Sequence, residues 1–366
     1  MKVGLITADY YPNIGGVATH VTGLGEAIAK SGHDVHIITL PLGNERAKIS
    51  RLGNVTVHRP SITKAKPFYS WLLHLWLKRF LKSTPLDIIH VHGLRPLEAT
   101  RNLNAPVIFT NHTSGFLKRI SKGQREQEKI LKRLTHIKHV LAPSHELAET
   151  IRDIGYKGPV DFISNGVDTD KFCPGDSRFR EQHGIRNDET VILLARRLVE
   201  KNGVIVFAEA ATQLTDLPIR IVFAGDGPER SKIENILDSV GMLEKAVFLG
   251  NVPNEQMTEI YRMADISVLP SFMEATSITG LESMSSGLPL VGTSVGGIPT
   301  LITESRNGYL VPPGNPSALA DAIRTLVNDA GLRHNMGIAA RQKAINEFSW
   351  MSIAQQTIEI YNRYIG

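Results

Sequence analysis

A single cysteine, Cys173, stands in 366 residues, so the chain has no intramolecular disulfide and no cysteine-based zinc set. A reducing, cytoplasmic setting follows as the expectation. No stretch of about 18 uncharged apolar residues occurs, which excludes a membrane-spanning helix. The N-terminal apolar run, Val3 to Ala8, gives way at once to Asp9. It is too short for a signal peptide and reads as a first buried strand. A three-glycine dinucleotide fingerprint is also missing, because Gly225-Asp226-Gly227 follows a strand but lacks the third glycine. None of the thirteen histidines forms a helical pair around a carboxylate. His90 and His92 share one face of a strand, where paired histidines read as packed or hydrogen-bonded, and no metal site is expected.

The chain is long enough for two domains, and 42% hydrophobic with 21% charged residues is the profile of a soluble globular enzyme. Charge is uneven: residues 1–168 carry 23 Lys and Arg against 13 Asp and Glu, while the rest is acidic by 18 against 23. The first half is therefore expected to meet something anionic. Short β-branched runs alternate with helical patterns in that half: Val3–Thr7, Val35–Thr39, Val55–His58, Ile88–His92, Val107–Thr110, His139–Ala142 and Val160–Ile163. The clearest helix is Val17–Ser31, stopped by Gly32. The second half restarts with Val191–Leu194, Arg220–Phe223, Lys245–Leu249, Ile266–Leu269 and Leu290–Thr293. Strand, helix, strand in repetition gives an α/β fold of parallel sheets covered on both faces. The expected division is 1–168, 169–349, and a last helix within 350–366 that returns to the first domain. Doubly wound domains place strand C-termini and helix N-termini at the ligand, an arrangement suited to a diphosphate.

Three segments carry chemistry. Pro12-Asn13-Ile14-Gly15-Gly16-Val17 joins the first strand to its helix, and paired glycines let backbone amides approach a bulky ligand. Arg196-Arg197, with Lys201 a turn later, puts cations just beyond a strand, where they can neutralise a pyrophosphate leaving group. Ser271 to Glu282 places Glu274 in the loop after Ile266–Leu269 and Glu282 in the helix that follows. A carboxylate there can accept from the vicinal hydroxyls of a sugar or ribose. No carboxylate pair identifiable as the nucleophile and acid of a hydrolase is present.

The Glu274-x7-Glu282 segment, continuing through Gly287-Leu288-Pro289 and Val295-Gly296-Gly297-Ile298-Pro299, resembles the signature of glycosyltransferase family 4. Gly15-Gly16-Val17 with His20, Gly32-His33-Asp34-Val35, Ser164-Asn165-Gly166-Val167-Asp168, Asn307-Gly308-Tyr309-Leu310-Val311 and Phe348-Ser349-Trp350 agree in order along nearly the whole chain. The resemblance implies the GT-B fold, two Rossmann-like domains facing a central cleft, with retention at the anomeric carbon and no required metal or cofactor. The implied donor is a UDP- or GDP-linked sugar, and the activity is hexosyl transfer. By position, Gly15 and Gly16 would serve the donor phosphate, and Arg196 or Arg197 with Lys201 the diphosphate; the spacing does not choose between the arginines. Glu282 would hold the ribose. Glu274 and the amides of Ala275, Thr276, Ser277 and Ile278 would hold the transferred sugar. His112, in Thr110-Asn111-His112-Thr113, would reach the sugar beside the scissile bond, with Asp9 and His20 on the acceptor side. The chain departs from the usual Glu-Gly-Phe-Gly at Glu274-Ala275-Thr276-Ser277, and has Thr300 where glutamate is usual.

Lys64 to Lys82 mixes Phe68, Tyr69, Trp71, Leu72, Leu75, Trp76 and Phe80 with Lys78, Arg79 and flanking lysines, the composition of an interfacial membrane helix. Leu117 to His139 is basic and nearly free of aromatics. A peripheral enzyme on the inner membrane face with a sugar or lipid-linked acceptor is one expectation; a soluble glucan- or disaccharide-forming transferase is the alternative, and a catalytically silent nucleotide-sugar binder a third. No nucleic-acid partner is expected, since no such module is visible.

Overall fold

The structure, a computed structural model of the chain, describes all residues except 13–14, 42–47, 64, 66–67, 113–115, 117–118 and 366. Asn13, Ile14, Lys64, Lys66, Thr113, Leu117 and Lys118 of the features above lie outside the described residues. The chain divides into two compact units, Met1–Gly166 together with Trp350–Gly366, and Val167–Ser349.

The first unit is built on β1 (Lys2–Thr7), β2 (Asp34–Ile38), β3 (Lys48–Leu52), β4 (Val55–Arg59), β5 (Ile88–His92), β6 (Val107–Thr110), β7 (His139–Ala142) and β8 (Val160–Phe162). Their order across the sheet is β3-β4-β2-β1-β5-β6-β7-β8. Val3, Leu5, Ile37, Ile89 and Val91 are fully buried, because a parallel sheet covered on both faces leaves its central strands no solvent side. Helices α1 (Gly16–Lys30), α2 (Phe68–Ser83), α3 (Gln124–Leu134) and α4 (His145–Asp153) belong to this unit. Helix α1 buries Val21, Leu24 and Ile28 at helical spacing and ends before Gly32, whose φ of +87° reverses the chain.

The expectation of a purely parallel sheet is corrected at one edge. Strand β3 runs antiparallel to β4 in a hairpin, Lys48 opposite Arg59 and Leu52 opposite Val55. Its residues are largely exposed, so it has no buried run to announce it, and its lysine and arginine suit a protected edge.

The C-terminal helix, Trp350–Asn362, packs on α1. The Trp350 ring lies so close to the backbone of Gly23 and Gly166 that a Cβ on either would stand 2.2 or 2.3 Å from it. Tyr361 is fully buried and its hydroxyl bonds His90 Nδ1 at 2.6 Å. His90 Nε2 meets Thr110 Oγ1 at 2.6 Å, so His90 is a satisfied structural histidine.

The second unit has β9 (Thr190–Ala195), β10 (Ile219–Ala224), β11 (Ala246–Gly250), β12 (Ile266–Leu269), β13 (Leu290–Thr293) and β14 (Gly308–Val311), all parallel, in the order β11-β10-β9-β12-β13-β14. Helices α5 (Val204–Ala211), α6 (Arg230–Asp238), α7 (Met257–Met263), α8 (Ile278–Ser285), α9 (Pro316–Asn328) and α10 (Ala330–Lys343) cover it. Each sheet reverses its winding once, between β1 and β5 and between β9 and β12, and a doubly wound sheet opens its ligand crevice at that point.

Candidate functional site

Arg196 leaves the C-terminal end of β9, and Glu274 lies in the loop after β12, so the winding reversal sets them side by side. The Arg196 guanidinium donates to Glu274 Oε2 through one nitrogen and to Ser271 Oγ through another. Their side chains are only 10% and 15% exposed, which makes this a nearly desolvated, charge-assisted pair. Burial brings the Arg196 pKa down to about 10, and the group stays cationic at neutral pH.

Two glycine loops hold the pair in place. Gly296, at φ +53°, packs so tightly on the Glu274 carbonyl that a Cβ would stand 1.6 Å from its oxygen, and the Gly297 amide donates to that same oxygen at 3.0 Å. Gly225, at φ +145°, meets the Arg196 carbonyl in the same way, at 2.0 Å from a built Cβ. The Gly-Asp-Gly turn therefore braces the arginine loop and is no remnant of a dinucleotide site.

Helix α8 begins at Ile278, with Ser277 as N-cap; its Oγ accepts from the Gly280 amide at 3.1 Å. Ala275, Thr276 and Ile278 are half-buried around this helix start. Glu282, one turn further, is 8% exposed and accepts from the Tyr261 hydroxyl at 2.7 Å. Burial raises its pKa to about 7, against the opposing pull of the Tyr261 hydrogen bond and of Lys171. Tyr261, on α7, is fully buried and is held well above its ordinary pKa by burial, with Glu282 raising it further and Arg196 pulling it down. It thus lies within electrostatic reach of both acid and arginine. Arg197 and Lys201 are exposed. The Arg197 carbonyl accepts from Asn202 Nδ2 at 2.8 Å, and the Phe272 amide donates to the Lys201 carbonyl at 2.9 Å, tying both loops together.

In the first unit, the same topological position holds three histidines. His92 ends β5, His112 follows β6, and His20 lies on α1. His92 Nδ1 and His112 Nε2 are 2.9 Å apart, and the His20 and His112 rings meet edge-on at 4.3 Å. His20 Nδ1 is held by Asn165 Oδ1 at 2.8 Å, and its ring abuts Trp350. Burial lowers His20 to about 4 and, with the neighbouring imidazoles, holds His92 and His112 well below the ordinary range. All three are neutral at pH 7.

Gly15 is the N-cap of α1 and Gly16 its first residue, both exposed. With φ at −170°, Gly15 needs no glycine for its conformation, and a Cβ there would meet no described atom within 4 Å. Packing inside the chain does not demand the residue, which fits close approach by a ligand. Asp9 is exposed beyond β1, its amide on the Thr7 hydroxyl at 3.1 Å.

Sequence reasoning overlooked Tyr261 and the grouping of His92 with His20 and His112. Tyr261 is a single residue with no motif of its own.

Two family models match in succession: "Glycosyltransferase Family 4" over residues 14–171 and "Glycosyl transferases group 1" over residues 176–343. The chain belongs to glycosyltransferase family 4. An uncharacterized glycosyltransferase of Methanocaldococcus jannaschii is 28% identical over 99% of this chain and 98% of that protein. The N-acetyl-alpha-D-glucosaminyl L-malate synthase of Bacillus anthracis is 26% identical over 99% of the chain and 96% of that protein. Among solved structures, Anabaena HepE in complex with UDP and glucose superposes with a TM-score of 0.74 at 18% identity, over 99% of this chain and 100% of that one. These relatives fix the GT-B fold and glycosyl transfer as the activity. For a family 4 glycosyltransferase, Arg196, Glu274 and Glu282 with Tyr261 are the polar groups gathered at the winding reversal of the second unit.

Proposed function

We propose that this family 4 enzyme moves a hexose from a UDP- or GDP-linked donor, with retention at the anomeric carbon, to a lipid-linked or otherwise anionic acceptor. The observation that carries the donor half is the nearly desolvated Arg196–Glu274 pair, linked through Tyr261 to the buried Glu282. Arg196, with Arg197 and Lys201, serves the diphosphate. Glu282 accepts from the ribose hydroxyls, and Glu274 with the amides of Ala275, Thr276, Ser277 and Ile278 holds the hexose. In the first unit, the amides of Gly15 and Gly16 serve the phosphate and neutral His112 bonds the sugar, while Asp9 and His20 attend the acceptor. Nucleotide-bound HepE supports a nucleotide-sugar donor.

The leaving diphosphate gains charge as its bond to the anomeric carbon breaks, and preorganised cations and helix-start amides stabilise that charge without reorganising. No carboxylate is placed as a nucleophile in this reading. The acceptor hydroxyl attacks from the face the phosphate leaves, its proton passing to a phosphate oxygen. No metal step is required by this reading.

The acceptor half rests on the first unit. Phe68, Trp71 and Leu75 are exposed on α2 at 59, 60 and 46%, followed by exposed Lys78, Arg79 and Lys82. Their spacing puts them along one stripe, apolar at one end and cationic at the other. Among the described residues no helix is long and apolar enough to cross a membrane, so contact with a bilayer would be peripheral. The name of the Bacillus relative offers a second anionic acceptor, L-malate.

Nucleotide release from a panel of UDP-, GDP- and ADP-sugars, with chelator present, tests the donor reading. Release from one donor that rises with membrane lipid, or with a small dicarboxylate, and is lost in Glu282→Ala is the expected result. Silence with every donor, and no thermal stabilisation by any of the three nucleotides, would overturn it.

The membrane half is checked separately by flotation. The protein should rise with vesicles containing phosphatidylserine at low salt and fall away at high salt. Trp71→Ala with Lys78→Glu should halve the floating fraction or more. Absence of association at low salt removes the membrane acceptor.

A further inference from the structure

His20, His92 and His112 each have a ring nitrogen within 4.8 Å of the others, and among the described residues no other group of three or more His, Cys, Asp or Glu is gathered this way. Three imidazoles converging on one point is more than packing requires. Their companion His90 shows what a packed histidine looks like here, with a partner on each nitrogen. His92 differs: its Nε2 is fully buried without a partner, while Nδ1 faces His112 Nε2 at 2.9 Å. Two nitrogens bound tetrahedrally to one ion at 2.0–2.1 Å sit about 3.3–3.4 Å apart, so this hydrogen-bonded pair would open by about 0.4 Å to become two ligands on one metal. Asn165 supplies the outer partner that metal-bound histidines have, fixing His20 through Nδ1 and leaving Nε2 for the ion. His20 and His92 are buried and His112 half-buried.

We infer that His20, His92 and His112 form a site for one first-row transition-metal ion, zinc(II) first among them, whose binding withdraws His112 from the transfer reaction. The imidazole set favours zinc, copper, nickel or cobalt over magnesium and calcium, which take oxygen ligands. The inhibitory consequence rests on the role proposed for His112; the binding itself does not. A nitrogen lone pair committed to the ion cannot accept from a sugar hydroxyl, and the ion's charge beside His112 changes the polarity that a neutral imidazole offers.

The test titrates chelator-stripped full-length protein with zinc(II) by calorimetry, and with cobalt(II) by visible absorption, without any sugar nucleotide. One ion per chain is expected, with a tetrahedral cobalt spectrum. His92→Gln should abolish both, and Asn165→Ala should weaken binding 10–100-fold by freeing His20. Because His92 is given no role in transfer, His92→Gln should retain nucleotide release and lose its inhibition by zinc(II). Should His92→Gln fail to fold, judged by circular dichroism, Asn165→Ala carries the same comparison, and His20→Gln is read for metal binding alone. Equal zinc affinity in wild type and His92→Gln, or loss of binding on substituting a histidine outside the cluster such as His58, overturns the site. The calorimetric arm reads the metal alone, so its failure leaves the transferase reading standing, and failure of the donor panel leaves the metal site standing.

Discussion

Arg196→Ala should lower kcat/KM for the donor reaction by about 10²–10³, the scale of removing one preorganised donor from a developing negative charge. Arg197→Ala should change it by no more than about tenfold, because Arg197 is exposed and a solvated cation contributes little. That expectation rests on their surroundings: Arg196 is the nearly desolvated, oriented guanidinium, and Arg197 faces solvent. Arg196→Lys should not rescue, since an ammonium cannot reproduce a planar fork that meets Glu274 and Ser271 through different nitrogens. Stability should suffer as well. Removing one partner leaves Glu274 nearly buried and unpaired, which costs about 3 kcal/mol, the low end for buried pairs because both groups keep some exposure. The double change Arg196→Met, Glu274→Gln should recover most of that stability and none of the activity. Transfer by Arg196→Ala within about threefold of wild type, combined with loss in Arg197→Ala, would reverse the assignment.

Much of this architecture was legible because parallel sheets write themselves as buried apolar runs. Ile88–His92, Val107–Thr110, His139–Ala142, Ile266–Leu269 and Leu290–Thr293 are strands with the bounds the sequence suggests. Strand β3 was not, since Lys48 and Arg51 interrupt it and neither of its faces is buried. Strand β14 was read as a motif and not as a strand; it opens on Gly308 at φ +156°, a residue that ordinarily signals a break. Glu274 and Glu282 were legible as candidates because they sit in one contiguous segment. Tyr261 was not, because nothing local marks a lone tyrosine on a seven-residue helix as the partner of an acid 21 residues away. The histidine cluster joins positions 20, 92 and 112, and those meet only once the order β1-β5-β6 is known. His92 was read only as a strand-face histidine for that reason.

Glu282→Gln should weaken donor binding about 100-fold at pH 8 and at the same time make the protein more stable, and the gain should depend on pH. The Glu282 carboxyl has an ordinary pKa near 4.5 and a folded value of about 7, raised chiefly by burial. Between these values the folded protein holds a proton that the unfolded chain releases, so stability falls as pH rises from about 4.5 and levels off above 7. The full penalty is about 3 kcal/mol, taking 1.36 kcal/mol for each pKa unit. At pH 8, Glu282→Gln escapes that cost and keeps an acceptor for the Tyr261 hydroxyl, so Tm should rise by roughly 5–10 °C. At pH 4.5 the carboxyl is protonated in the folded state, and the two proteins should melt within about 2 °C of each other. Donor affinity runs the other way. The ribose hydroxyls need a carboxylate to receive them, and a buried Gln offers one acceptor and an amide that repels their hydrogens. Wild-type affinity for the donor nucleotide should therefore strengthen about tenfold per pH unit below 7 and flatten above it. Glu282→Gln should bind about 100-fold more weakly at pH 8, with no such slope. Thermal melts and nucleotide titrations across pH 4.5–8.5 separate the possibilities. If Glu282→Gln melted below wild type at pH 8, the carboxyl would be ionised at no cost, and its burial would be compensated by a partner other than Tyr261 and Lys171. The expected pattern instead marks Glu282 as a residue kept at the expense of stability, which is what a buried acid with no salt bridge among the described residues requires a function to explain.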